Sequence, residues 1–281
     1  MSRLRIRHTT GYRYESPATA SYNEARMTPA TNDDQFVLFS RLDIRPNTAV
    51  NTYEDYWGTK VTAFEVLSPH TELQLTATSL VEVRPQRRVM DPLDWKTLES
   101  VSQQATHYVE QLEQTDRTAP RPELLQWAAE LAGAASGPDA AAHAIADYVH
   151  SQVAYLPEST HVHTKAAEAW DARAGVCQDI AHITLGALRS IGIPARYVSG
   201  YLHPKADAAV GQTVVGESHA WVEWFTGSWV GWDPTNDCPI GERHVRIGHG
   251  RDYDDVPPLR GIYAGKGSST LFVSVEITRE S

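Results

Sequence analysis

Two cysteines in 281 residues are too few for a disulfide scaffold, which a secreted chain would build from more. No apolar run approaches the ~18 residues that a membrane helix needs, so no membrane partner is expected. The opening segment, MSRLRIRHTTGYRYESP, carries charges and lacks the apolar core of a secretory signal; a cytoplasmic protein is the expectation. Positive charge is scarce as well. Against 35 Asp and Glu stand only 25 Lys and Arg, a net charge of −10, which argues against a nucleic-acid or anionic-membrane binder. Internal repeats and low-complexity tracts are missing too. What remains is 41% hydrophobic residues with eight tryptophans, enough to fill one large core or two ordinary ones.

The most informative stretch is AGVCQDIAHITLGALRSIGIPARYVSGYL, residues 174–202. After Cys177, Ile180, Ile183, Leu185, Leu188 and Ile191 recur near one face of a 3.6-residue period, which predicts a buried helix. Gly192 and Pro194 end it, and a β-rich segment follows. Cys177 therefore starts a helix, where unpaired backbone N–H groups and the helix dipole favour an anion. A thiol so placed tends toward its nucleophilic thiolate form. Alone this is weak, since inert buried cysteines are common. Two downstream segments change the balance. GESHAWVEWF supplies His219, 42 residues after Cys177, and SWVGWDPTND supplies Asp233, 14 residues further on. Nucleophile, base and an acid that orients the base are the parts of a cysteine acyl-transfer triad.

The GVCQD block, the SHAWVE strand and the GWDPTN strand, in this order and spacing, resemble the transglutaminase-like superfamily, and within it the bacterial cysteine-protease-type proteins that carry an N-terminal β-domain. The resemblance assigns nucleophile, base and orienting acid to Cys177, His219 and Asp233. It implies an α+β fold: an N-terminal antiparallel β-sandwich-like domain, residues 1–90, then a papain-like or transglutaminase-like core, residues 91–281. Animal transglutaminases carry Trp after the nucleophile where this chain has Gln178, which weakens any transfer of their crosslinking activity.

The chain in order fits this division. Residues 3–83 alternate in short runs broken by Pro, Asn and Gly, with a hairpin turn predicted at Gly58-Thr59. A linker is expected between Pro85 and Pro92. Helical patterns cover 95–114, 121–134 and 138–152, and a short helix or helical turn ends at Gly175. The runs ARYVSGYL, SHAWVEWF, SWVGWDPT and STLFVSVEIT are then expected to form the antiparallel sheet against which the Cys177 helix packs.

Other residues carry two readings each. Trp221 lies on the His219 face of its strand and is a candidate substrate-binding residue; Trp224, Tyr197 and Tyr201 fit a core better. Asp179 reads as a helix cap or the partner of a base, His182 as a core histidine, and Cys238 as a bystander. His161 and His163 alternate as strand-borne metal ligands would, but no further ligand completes a set, and neither metal nor cofactor is expected. Glu24 and Arg26 read as an ion pair rather than part of a cleft mouth. The GRDY block at 250–253 would hold a loop or wall a substrate. For the second oxyanion donor, the 155–170 region is the expected source. The expected activity is hydrolysis of an amide, peptide or isopeptide bond in a peptide or protein substrate, through a thioester. Transfer to an amine and a non-catalytic scaffold on the same fold remain the alternatives. Nothing excludes an oligomer.

Overall fold

The alternation that opens the chain builds its longest strand. In the computed structural model, which describes residues 1–85, 91–205, 207–216 and 218–281, β1 (Ser2–Ala18) buries Leu4, Ile6 and His8 and turns Arg3, Arg5 and Arg7 outward, as a period of two requires. Next come β2 (Ala20–Ala25), β3 (Gln35–Arg45), β4 (Val50–Glu54), β5 (Lys60–Val66) and β6 (His70–Val83). The hairpin turn falls where expected, between β4 and β5. Asp55 accepts hydrogen bonds from the N–H groups of Trp57 (3.1 Å) and Thr59 (2.9 Å), and Gly58 takes a φ of 74°, which favours glycine.

The expected linker between Pro85 and Pro92 runs through residues 86–90, which lie outside the described residues. Beyond it the helix expected over 95–114 is two, α1 (Trp95–Ser102) and α2 (Thr106–Glu110). Ala105 is extended between them, and the chain turns so that the Gln111 carbonyl accepts the Ala195 N–H at 3.0 Å. Then follow α3 (Pro122–Ala134), α4 (Pro138–Gln152), β7 (Ala154–Tyr155), α5 (Ala166–Ala172), β8 (Ala174–Gly175) and α6 (Cys177–Ser190). Strands resume with β9 (Ala195–Leu202), β10 (Thr213–Gly216), β11 (Ser218–Phe225), β12 (Trp229–Asp233), β13 (Cys238–Pro239), β14 (His244–Gly250), β15 (Leu259–Ala264) and β16 (Ser269–Arg279).

The fold is α+β, strand-rich at its N-terminal end, with helices gathered on one antiparallel sheet of order β13-β12-β11-β9-β14. α6 lies against β9 and β11, with α3, α4 and α5 around it. Ile180, Ile183, Leu185 and Leu188 meet Val222, Trp224, Trp170 and Ile145 in its core.

One strand departs from expectation. β16 does not join this sheet; it pairs with β1 from Leu4 to Tyr14 and with β10 on its other edge, in a sheet of order β10-β16-β1-β6-β3. Its alternating pattern requires a half-buried strand but does not name the neighbour. Val275 and Ile277 find their burial with Leu4, Ile6 and Val81, against Tyr201 and Val245 of the helix-bearing sheet. A third sheet, β15-β2-β5-β4, closes the sandwich over Tyr14, Met27, Phe64, Leu73 and Leu75. The β4–β5 turn reaches back to the helices. Tyr56 Oη donates to Glu110 at 2.9 Å, and Thr59 occupies the space that a Cβ on Gly248 would need.

Candidate active site

Val176 is extended and caps α6, so Cys177 is its first helical residue. Asp179 closes the cap: its Oδ2 accepts from the Val176 N–H (2.9 Å) and from Thr160 Oγ1 (2.6 Å), the capping use of the two proposed for it. His182, one turn on, is buried in the core. Its Nε2 accepts the Tyr253 N–H at 3.1 Å, and burial lowers its pKa to about 3, so the ring is neutral.

His219 stands near the start of β11, opposite Gly200 of β9, and Asp233 ends β12. The strand pair brings His219 Nε2 to 2.7 Å from Asp233 Oδ2. The Cys177 side chain stands near enough to the same imidazole to raise its pKa; with Nε2 committed to Asp233, Nδ1 is the nitrogen left for a nucleophile. All three residues picked from the sequence thus converge on one ring. Burial works against an imidazolium there, but the Asp233 hydrogen bond and the neighbouring Cys177 and Asp233 outweigh it, raising the His219 pKa to about 10.

Asp233 is 0% exposed, a costly place for a carboxylate unless its lone pairs are filled. They are. Oδ1 accepts the N–H groups of Thr235 (3.0 Å) and Asn236 (3.1 Å), while Oδ2 accepts His219, Asn236 Nδ2 (2.7 Å) and His244 Nε2 (3.2 Å). Burial pushes the pKa up, yet these donors and the His219 charge hold it well below the usual carboxylate range. His244 and Asn236 are the participants that sequence reasoning missed. Asn236 had a signal in the DPTN turn, three residues past the acid; His244 had none.

The ligand atoms of His219, Asp233 and His244 lie within 4.8 Å of one another, close enough for a metal ion. Their hydrogen bonds argue for a different use. The Gly241 N–H donates to His244 Nδ1 at 3.3 Å, so the proton of the neutral ring sits on Nε2, facing Asp233. Burial keeps that ring neutral by lowering its pKa. A metal on Nε2 would force the proton onto Nδ1, against the Gly241 donor.

The other candidates lie outside this constellation. Trp221, expected at the cleft, is 1% exposed; its ring lies over Gly200 and edge-on to His244, with no surface left for a substrate. Trp224 is core, its Nε1 donating to Asp139, and Tyr197 and Tyr201 are buried. Cys238 is a free thiol paired through its backbone with Asp233. His161 and His163 sit in a turn, not on a strand. His161 bonds Thr164 (3.0 Å), and Arg117 donates to His163 (3.3 Å). Glu24 and Arg26 form an ion pair with Arg260 and Asp55 on the third sheet. The GRDY block is engaged by protein: Arg251 pairs with Asp255 (3.0 Å), its carbonyl accepts from Arg189 of α6 (2.6 Å), and Asp254 takes Arg117 (2.7 Å). A cavity of about 860 Å³ lies on the third sheet, and none of the three converging residues lines it. A smaller one, about 420 Å³, is lined by His219 itself.

Comparison with known proteins gives two family matches: the bacterial transglutaminase-like N-terminal region over residues 4–82, and the transglutaminase-like superfamily over residues 125–234, which include Cys177, His219 and Asp233. An uncharacterized protein of Mycobacterium leprae is 47% identical over 279 residues, 99% of each chain. Another, from Mycobacterium bovis, is 33% identical over 98% of this chain and 92% of its own. Among solved structures, a candidate cysteine protease of Cytophaga hutchinsonii superposes with a TM-score of 0.79 at 22% identity, covering 100% of this chain and 91% of that one. At that identity the likeness is one of fold.

Proposed function

Because the chain belongs to the transglutaminase-like superfamily, we propose that it is a cysteine acyl-transfer enzyme that cleaves an amide, peptide or isopeptide bond of a peptide or protein. Cys177 attacks the carbonyl, the C–S bond forms, and His219 gives its proton to the departing amine. Asp233 keeps the imidazole oriented and stabilises its charge. The tetrahedral oxyanion meets the Cys177 backbone N–H at the start of α6, and a donor of this kind contributes about 3 kcal/mol. Water, deprotonated by His219, then releases the acid from the thioester.

The observation that carries this reading is the single imidazole that bonds Asp233 (2.7 Å) with Cys177, the first residue of α6, close enough to act on its pKa. Its test is intact-mass alkylation with limiting iodoacetamide from about pH 5 to 9, on wild type, Cys177→Ala and His219→Ala. Fast labelling at Cys177 that persists below neutrality and is lost with His219 supports the activated thiolate. Labelling with the profile of an ordinary thiol, or mainly at Cys238, would leave a binding protein on this fold as the better reading. Transfer to an amine is the second reading, favoured by the cavity that opens at the base. An amide product in the presence of a primary amine distinguishes it from hydrolysis.

A further inference from the structure

We propose that the cavity beside His219 receives the amine side of the substrate, and that it selects an uncharged, apolar group next to that nitrogen. The assignment rests on the Cys177–His219 reading above. Three segments build the cavity: Tyr155 and Pro157 ahead of α5, Leu202 and Pro204 at the end of β9, and Val215 on β10. His219 lines it and Cys177 does not. That asymmetry decides its role. In acylation His219 protonates the leaving amine; in deacylation the same ring takes a proton from the attacking group. Microscopic reversibility sends both nitrogens through one place, beside the base. A space that touches the base and not the nucleophile is the amine side, and the acyl portion lies elsewhere along Cys177.

Its lining sets the selectivity. No Lys, Arg, Asp or Glu is among the described residues around it; beside the apolar side chains stand His219, Ser218, Thr235 and Asn236. An ammonium or carboxylate drawn in would shed water, and the described residues around it offer no opposite charge once His219 is neutral, as it must be to take the amine's proton. A volume of about 420 Å³ suits one or two residues rather than a protein surface. The preferred leaving or accepting amine is therefore a short segment that begins with an apolar residue.

The test forms the acyl-enzyme from a generic donor and lets amines compete for it. With p-nitrophenyl acetate, the Cys177 thiolate attacks the ester carbonyl, the C–S bond forms, and p-nitrophenolate leaves. The acetyl group then passes to water, giving acetate, or to an amine, giving its N-acetyl derivative while the amine's proton goes to His219 and the thiolate is restored. Phenylalaninamide, glycinamide and aspartic acid α-amide are compared at equal free-base concentration, and the products are counted by mass spectrometry. The phenylalanine product should exceed the glycine product by about tenfold or more, the gain expected of an apolar pocket, with the aspartate product lowest. Val215→Glu, at a residue 82% exposed on the rim, should collapse that preference. The ratio is read within one acyl-enzyme population, so it does not depend on how fast the variant acylates. Equal products from all three amines, or no amide from any, overturn the assignment and leave the triad standing. Absence of a nitrophenolate burst in wild type relative to Cys177→Ala overturns the triad itself, and this assignment with it.

Discussion

Replacing Asp233 by Asn changes one oxygen to an amide nitrogen at a site where five hydrogen atoms point inward. The Asn oxygen can still serve the Thr235 and Asn236 N–H groups. Its NH₂ then faces the Nε2 protons of His219 and His244 and the Asn236 amide, donor against donor. His219 must rotate or change tautomer, and either disconnects it from Cys177. In the Ser-His-Asp template the same exchange lowers turnover about 10⁴-fold, or about 5.4 kcal/mol of barrier. Stability falls too, because the partners are buried: removing one member of such a set costs about 3–5 kcal/mol. The sign with pH follows from the depressed Asp233 pKa. The carboxylate's contribution is complete above its unfolded value, about 3.9, and fades as pH falls through the lower folded value. Wild type and variant should therefore differ most at neutral pH and converge in acid. Nitrophenyl ester turnover gives the first quantity, and urea denaturation followed by tryptophan fluorescence, at pH 7 and about pH 3, gives the second. A folded Asp233→Asn protein that turns over within tenfold of wild type would remove Asp233 from the catalytic machinery.

Three further outcomes follow from the same geometry. The His219 imidazolium stabilises the fold fully below 6.5 and is lost as pH rises through about 10, so the melting temperature of wild type should drop across that window while that of His219→Ala does not; parallel curves would deny the ion pair. His244→Leu deletes one hydrogen bond to a buried charge, worth about 1.5–3 kcal/mol, and should cut ester turnover about tenfold or more and shift its pH profile, whereas His244→Gln keeps a donor and recovers most of the loss; equal losses in the two variants would make His244 a space-filler. Gly248→Ala drives a methyl into Thr59 and should cost about 1–3 kcal/mol of stability in urea denaturation, most of it restored by adding Thr59→Ala; no change would mean the β4–β5 turn does not lock onto β14.

Residues whose role is local are readable from the sequence. The period of Ile180, Ile183, Leu185 and Leu188 specifies a buried helix, and a residue ahead of that pattern must start it, so periodicity alone places Cys177 at a helix N-terminus. Asp179 as cap follows for the same reason, being three residues from the backbone group it bonds. β16 shows where such reading stops. Its alternation fits any half-buried sheet face, and its choice of β1 depends on residues more than 250 positions away. Trp221 shows a second limit. Sharing a strand face with His219 is legible, but how deep that face lies depends on β14 and on the room left at Gly200.

The surroundings of Asp233 join both cases. Its Oδ1 is served by the turn that follows it, and DPTN announces that turn; its Oδ2 is shared with a histidine brought in by β14, a strand whose register against β9 only the folded sheet defines. A carboxylate that must stay ionised at 0% exposure needs more donors than its base alone can offer. In the proposed mechanism His219 also has to remain free to trade its proton with Cys177 and the substrate. A neutral histidine whose proton is fixed by the Gly241 N–H meets both needs: it donates to Asp233 without adding a second positive charge, so the imidazolium charge stays on His219, where the proposed chemistry needs it.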